Sequence, residues 1–263
     1  MLKMFKEIYR HRDLVFLLAL HDVRNKHIRS ALGLVWALLY PILFIGIYFF
    51  LFTVVFKIRF GEGIGGVEFF IYMLSGFVAW LILAEAVSTS STLVNENQSL
   101  FVKIVFPVEL LSAKQVLVCF ISQLPALIVV LGLNAARGHA AVSWLFIPVL
   151  LVLQGMMLLG VSWLVSVVAV FLKDIERILS LFLMLGVFAT PIFYTMDNLS
   201  PRFKAVMAFN PLVYLIKPYQ QIIYYGEFPD CFDMGLLVII ATVSLLLGGW
   251  VFHTLKQTVR DEL

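Results

Sequence analysis

Five aromatic residues recur at four-residue intervals within one uncharged stretch of the chain: Tyr40, Phe44, Tyr48, Phe52 and Phe56. Aromatic faces can stack against sugar rings without requiring one fixed polar pattern, so this stripe could line a transport pathway, with Phe193 and Tyr194 adding to it. Each four-residue step turns a helix by about 400°, and the stripe therefore winds by about 160° over its length. Packing of the same residues against lipid or against other helices is the alternative.

Residues suited to catalysis are sparse in the apolar stretches. The five histidines lie at the ends of apolar runs or in connections: His11, His21, His27, His139 and His253. The sequence has no G-x-x-x-x-G-K-[ST] phosphate-binding loop, and no metal-ligand pair at helical spacing. We therefore expect no catalytic residue, no metal and no cofactor in this chain.

One ionisable residue, Glu85, falls inside an apolar run, and Lys114 lies close to the start of the next run. Carriers driven by protons or sodium usually place such groups near the middle of the bilayer. Glu85 is expected nearer the edge of the hydrocarbon, at a depth similar to that of Lys114. A structural Glu85–Lys114 ion pair is preferred, and a substrate or proton site is the alternative.

The elements that position these residues are apolar. Of the 263 residues, 62% are hydrophobic and 13% are charged, whereas soluble domains average about 25% charged residues. A membrane span needs about 20 apolar residues. The sequence therefore predicts an all-α integral membrane protein with one domain, 1–263, and six spans, at about 30–56, 69–94, 114–136, 141–172, 177–196 and 234–255.

The charges predict an orientation. With six spans both termini lie on one side, which carries 13 Lys and Arg residues, against 6 on the other side. The excess places both termini in the cytoplasm. Residues 2–20 have an apolar face with Met4 and Ile8 and a charged face with Lys6 and Arg10, which predicts an amphipathic helix in the membrane interface. A solvated helix packed on a partner is the alternative.

The connection before the last span predicts a helical hairpin at 200–226. Ser200-Pro201 and Asn210-Pro211 are helix-start signals, and Gly226 is a stop signal. The two helices are too short to span the membrane but apolar enough to re-enter its outer leaflet. We expect an outer gate over the mouth of a pathway, formed by Phe209, Asn210, Pro211, Tyr214 and Tyr219. A surface-lying hairpin without a gating role is the alternative.

Several stretches carry a family resemblance in their order and spacing: Ser30–Pro41 (SALGLVWALLYP), Val105–Pro107, Lys173–Ile175, Thr190–Tyr194 and Phe209–Leu212. Together they resemble the permeases of type-2 ABC exporters, and most closely the subfamily that exports O-antigen, capsule and teichoic-acid polymers. The resemblance implies the fold predicted above: an interfacial N-terminal helix, six spans and two short outer helices between spans five and six.

The resemblance also implies partners. It implies a homodimer in the bacterial inner membrane, two separate ATPase subunits that carry ATP and Mg²⁺, and a lipid-linked polysaccharide as cargo. The surfaces facing the ATPase would include Glu96, Asn97, Lys103, Phe106, Asp174, Glu176 and Arg177, and plain solvated loops are the alternative there. The rival functions are a type-2 exporter of drugs or lipids and, from another class, a polytopic membrane transferase.

Overall fold

The structure is a computed structural model that describes residues 2–28, 39, 43, 46–47, 50–55, 66–98, 108–196 and 199–261. These residues form helices and connections, with no β-strand among them. The α-helices are α1 (Leu2–Arg10), α2 (Arg12–Ile28), α3 (Gly66–Glu96), α4 (Glu109–Ala136), α5 (Ile147–Phe171), α6 (Ile175–Gly186), α7 (Pro201–Ala208), α8 (Pro211–Gln220) and α9 (Cys231–Asp261). Short 3₁₀ turns cover Val142–Phe146 and Val187–Ala189, and π-helical turns cover Phe50–Val55 and Gln221–Tyr225.

Most of the predicted first span, 30–56, lies outside the described residues. The same holds for Tyr40, Phe44, Tyr48 and Phe56, for the side chain of Phe52, and for two of the predicted ATPase-facing residues, Lys103 and Phe106.

Four helical segments in the described part of the chain are long and apolar enough to cross a membrane: Val67–Glu96, Glu109–Ala136, Val142–Phe171 and Cys231–Arg260. They match the predicted spans at 69–94, 114–136, 141–172 and 234–255. Three of the helices begin several residues earlier than hydropathy alone indicated. The reason is that Glu68, Glu109 and Asp233 lie inside helices and pair with basic residues that lie in other helices or directly after them.

In the structure the predicted span at 177–196 is not one continuous α-helix, because the backbone of its second half is not α-helical. Helix α6 has 12 residues, which is about 18 Å of helix and too short to span. After the 3₁₀ turn, Thr190 takes an extended conformation with φ −121° and ψ 152°. Pro191 causes this change, since proline has no N–H to donate and disfavours the α conformation in the residue before it.

The N-terminal helix extends further than predicted, because α1 and α2 follow each other with only His11 between them. Met4, Val15 and Ala19 are buried on one face. Helix α2 packs on α4, and Lys114 Nζ of α4 lies 2.6 Å from Asp22 Oδ2 of α2.

The buried residues form two clusters. The larger one joins α3, α4, α5 and α8 and includes residues of the π-helical turn after α8. The smaller one includes Met4, Leu93, Val108, Trp163 and Phe252. In this cluster the end of α3, the start of α4 and the later part of α9 pack together beside α1. We call this end of the bundle, where α1 lies, the N-terminal end. Helices α3, α5 and α9 therefore run towards this end of the bundle, and α4 runs away from it.

Helices α5 and α9 make the most extensive contact in the bundle. A Cβ atom on Gly160 would collide with the backbone of Ser244, and one on Gly248 would collide with the carbonyl of Gly160. Ser244 Oγ donates to Met157 O at 2.9 Å across the same contact. Small residues that allow backbones to approach, with a hydroxyl bond between helices, are typical of helix packing in membranes.

Candidate functional site: the hairpin end of the bundle

Helices α7 and α8 form the predicted hairpin, and local sequence signals set its limits. Asn210 is the N-cap of α8, because its Oδ1 accepts a hydrogen bond from the backbone N–H of Leu212 at 3.0 Å. Pro211 occupies the first helical position. Gly226, with φ +69°, ends the π-helical turn in the left-handed conformation that glycine adopts without strain. The predicted start of α8 and its stop at Gly226 are confirmed.

Buried donors from two other helical segments hold the end of this hairpin. The last carbonyl groups of a helix have no partner within it. Here Ile222 O accepts from Ser143 Oγ at 3.1 Å, and Ile223 O accepts from the Asn134 side-chain amide. Ser143 belongs to the 3₁₀ turn before α5, and Asn134 lies near the end of α4. The hairpin is therefore bonded to two neighbouring elements at its base.

Helix α8 is also anchored through the middle of its buried face. Gly76 of α3 lets α8 approach, since a Cβ there would lie 2.8 Å from Ile216 Cγ2. The Tyr219 hydroxyl donates to Gln154 Oε1 at 2.7 Å, and Gln154 Nε2 donates to Ala79 O at 2.9 Å. Tyr219 is fully buried, and its hydroxyl is the donor in this contact. One chain of hydrogen bonds thus joins α8, α5 and α3.

The non-helical segment after α6 is held by the same helices. Pro191 O accepts from the Tyr72 hydroxyl at 3.1 Å and from Gln220 Nε2 at 2.7 Å. Tyr72 also donates to Tyr194 O at 3.2 Å. Irregular backbone at membrane depth is tolerated only where protein or water satisfies it. Side chains of α3 and α8 provide that satisfaction.

The two candidate channel-lining residues in the described part, Phe193 and Tyr194, lie in this segment. The Phe193 ring stacks on Phe188 at a centroid distance of 5.3 Å and tilts against Phe77 at 6.4 Å. The Tyr194 hydroxyl donates to Phe188 O at 3.2 Å. Both side chains thus pack against the end of α6.

The five predicted gate residues separate into two groups. Tyr219 is fully buried and anchors α8, and Asn210 Nδ2 donates to Ala189 O at 2.7 Å, which links α8 to the end of α6. Phe209 is 89% exposed, Pro211 is also exposed, and the hydroxyl of Tyr214 donates to Ala208 O at 2.8 Å on the surface. The first group holds the hairpin in place, and the second is accessible.

Sequence reasoning missed the polar residues that anchor the hairpin, namely Tyr72, Asn134, Ser143, Gln154 and Gln220. Four of them are isolated polar residues within predicted spans, Gln220 stands beside Gln221 in the hairpin, and the partner of each is distant in sequence. Such isolated amides and hydroxyls in predicted spans were the available signal, since buried polar groups require partners.

Ion pairs join helices at both ends of the bundle. At the hairpin end Arg137 pairs with Glu68, and Lys217 Nζ lies 2.7 Å from Asp233 Oδ2. At the N-terminal end Lys256 Nζ lies 2.5 Å from Glu109 Oε1. Each pair connects two different helices.

The expected Glu85–Lys114 pair is corrected by the structure. Glu85 Oε2 accepts from Gln123 Nε2 at 2.6 Å, whereas Lys114 pairs with Asp22. Gln123 lies nine residues beyond Lys114 on α4, which is about 13 Å along the helix axis. The depths estimated from sequence were therefore mismatched by more than two turns.

The described residues of the predicted ATPase-facing surfaces lie at helix ends. Glu96 is the exposed last residue of α3, and Asn97 Nδ2 donates back to Leu93 O at 2.8 Å. Asp174 precedes α6 in the predicted tight turn, where Arg177 donates to it at 3.2 Å, and Glu176 is exposed in the first turn of α6. Among the described residues no group of three His, Cys, Asp or Glu side chains could hold a metal ion.

Comparisons with known proteins place this arrangement in a family. The family model described as ABC-2 type transporter matches residues 15–224. The chain is 28% identical to the O-antigen export system permease protein RfbA of Myxococcus xanthus over 100% of both chains. It is 25% identical to the protein of the same name from Klebsiella pneumoniae over 95% of both chains. It is 19% identical to the polysialic acid transport protein KpsM of Escherichia coli, over 92% of this chain and 93% of that one. The family model covers well over half of the chain, and with its several apolar helices this multi-pass membrane protein belongs to the ABC-2 type transporter family.

Proposed function

We propose that the chain is the membrane-spanning subunit of an ATP-driven exporter that moves a lipid-linked, O-antigen-like polysaccharide out of the cytoplasm across the bacterial inner membrane. The observation that carries this proposal is the full-length similarity to proteins named for O-antigen export. Two copies would assemble with two separate ATPase subunits, which bind ATP and Mg²⁺ and perform the hydrolysis.

The proposed topology has six spans with both termini in the cytoplasm, and its fifth span consists of α6, the 3₁₀ turn and the non-helical segment that follows. The N-terminal end of the bundle then faces the ATPase, and the hairpin end faces outward. Exposed Tyr9, Phe16 and Leu20 share one face of α1 and α2, about 100° around the helix from the buried Val15 and Ala19, with Arg10 and Arg12 nearby. This pattern supports a position in the membrane interface.

A mechanical connection supports the assignment of the coupling residues. Helix α6 begins at the exposed turn with Asp174, and its 3₁₀ extension ends at Ala189, whose carbonyl is bonded to Asn210. A displacement of the turn by the ATPase would therefore reach the hairpin through α6. Glu96, Asn97, Lys103, Phe106, Glu176 and Arg177 complete the proposed contact surface.

Deletion of the gene tests the proposed function. The expected result is loss of surface polysaccharide together with accumulation of lipid-linked polymer inside the cell, and both should be reversed by the gene supplied in trans. Intact surface glycan without internal polymer would overturn the proposal. Loss of polymer synthesis itself would instead favour the membrane transferase.

The orientation has its own test, because one of the two cysteines, Cys231, is exposed at the start of α9 and the other, Cys119, is buried. A membrane-impermeant maleimide added to spheroplasts should label Cys231, and the Cys231→Ala variant should remain unlabelled. Labelling only after the membrane is opened would place the hairpin end in the cytoplasm and reject the topology.

The aromatic stripe is the proposed contact with cargo. Replacing Tyr48 and Phe52 with alanine should reduce polysaccharide export without changing the amount of protein assembled with the ATPase, because the rings would contact sugar and not the partner. Trp250→Ala is the matched control, since this ring is exposed on α9, away from the stripe in sequence. Equal export by the two variants would remove the stripe from the pathway.

A further inference from the structure

A cavity of about 530 Å³ opens at the hairpin end, between the hairpin and the start of α9. Its wall includes Val213, Tyr214 and Lys217 of α8 and residues 230–233 around the start of α9. The volume lies within the range of about 300–1,000 Å³ that is typical of small-molecule sites. None of the hydrogen bonds that anchor the hairpin to α3, α4 and α5 involves these side chains, so the cavity has a distinct set of residues.

The charged groups of the cavity are ordered by two contacts. Lys217 Nζ lies 2.7 Å from Asp233, a buried carboxylate, so the positive and the negative charge of this pair cancel. Asp230 is exposed, and its Oδ2 accepts a hydrogen bond from Gln221 Nε2 at 3.1 Å. The lining therefore carries one ammonium and two carboxylates, a net charge of −1.

This lining suits a hydroxyl-rich ligand. Carboxylate oxygens accept hydrogen bonds from sugar hydroxyls, and charge-assisted bonds of this kind are the stronger ones. Tyr214 and Phe232 supply aromatic surface, and Val213 supplies aliphatic surface, for the C–H face of a sugar ring. The excess negative charge disfavours a phosphate headgroup, since like charges repel.

We infer that this cavity binds a saccharide unit of the exported chain as the chain leaves the pathway. The inference rests on the proposed function and adds to it a second contact with cargo, separate from the aromatic stripe. It assigns Asp230 and Tyr214 as the residues that hold the sugar, and the Lys217–Asp233 pair as the support that fixes the wall.

A native thiol makes the inference testable, because Cys231 lines the cavity and is exposed. Its rate of labelling by an impermeant maleimide is compared in spheroplasts that synthesise the polymer and in spheroplasts whose polymer synthesis is switched off. If the polymer occupies the cavity about 90% of the time, labelling slows about tenfold, because only the empty fraction reacts. Cys231→Ala measures the background.

Two variants separate a specific site from general crowding. Asp230→Asn should abolish most of the protection, since a neutral amide replaces the charged acceptor. Glu227→Gln, an exposed change in the same connection, should leave it intact. Equal protection in both variants would overturn the assignment.

The remaining outcomes distinguish failure of the cavity inference from failure of the proposed function. If polymer reaches the surface in a gene-dependent manner but labelling of Cys231 is the same with and without it, the cavity inference fails while the proposed function stands. If the thiol is protected equally in both strains and detergent releases it, the occupant is a membrane lipid and the inference also fails. If deletion leaves the surface polymer unchanged, the proposed function itself fails.

Discussion

The hydrogen bond between Tyr219 and Gln154 provides the sharpest test of how the hairpin is anchored. Tyr219→Phe removes one oxygen from a fully buried ring and leaves Gln154 Oε1 without its donor. The amide cannot simply flip, because its Nε2 is already bonded to Ala79 O. The change therefore isolates one buried acceptor and removes only a single oxygen atom from the packed ring.

The expected loss follows from the cost of orphaning such an acceptor. An unsatisfied buried polar group costs about 1–3 kcal/mol, while side-chain bonds between membrane helices average about 0.6 and reach about 1.7 kcal/mol. We expect about 1–2 kcal/mol, because the site is buried and Gln154 is held on both sides. At about 2–4 °C per kcal/mol for a chain of this size, Tm should fall by about 2–8 °C.

A double-mutant cycle measures the pairwise contribution directly. Gln154→Met alone should also destabilise, since it orphans the Tyr219 hydroxyl, but Tyr219→Phe should cost little in the Gln154→Met background. Thermal unfolding of the purified protein in detergent reports all four Tm values. Tyr214→Phe is the control, because its hydroxyl bonds to Ala208 O where water can replace it. Equal losses from Tyr219→Phe in both backgrounds would refute the anchoring role of the bond.

Two further changes test the contacts between long helices, both by thermal unfolding. Gly248→Ala should destabilise the protein by about 1–3 kcal/mol, because the added Cβ overpacks against Gly160. The control is Gly235→Ala on the same helix, where the Cβ meets open space and should add up to about 1 kcal/mol of stability through helix propensity. A stabilising Gly248→Ala would contradict the close approach of the two helices. Lys256→Met should lower the free energy of unfolding by about 3 kcal/mol or more, because Glu109 stays buried without its partner. Adding Glu109→Gln should recover most of that loss. A double variant no more stable than the single one would show that the two residues are not coupled.

Local signals predicted the helices and the hairpin well. Uncharged runs located four of the long helices, and Asn210-Pro211 with Gly226 set the limits of α8 and of the π-helical turn that follows it. These features depend on residues close together in sequence. Capping, the fixed φ of proline and the left-handed conformation of glycine all operate within a single turn of the chain.

Tertiary pairing explains what the sequence could not predict. The Lys256–Glu109 contact joins residues 147 positions apart, so no local pattern identifies it. Such pairs allow charged residues inside helix ends, which is why α4 begins at Glu109 and not near the predicted residue 114. The Glu85–Lys114 prediction failed for the same reason, since the depth of each residue depends on where its helix begins.

The anchoring bonds restrict how the hairpin could act as a gate. Lifting α8 alone would break its bonds to Gln154 and Pro191, and the bonds from Asn134 and Ser143 to the turn that follows it. Each of these groups would then lie unpaired in an apolar environment, at about 1–3 kcal/mol apiece. Within the proposed exporter, an opening that moves the hairpin together with α4, α5 and the segment after α6 keeps all four bonds. The accessible side of the hairpin, with Phe209 and Tyr214, would then change its neighbours while the buried side keeps its contacts. Polymer would therefore pass between protomers and not beneath a lifted hairpin.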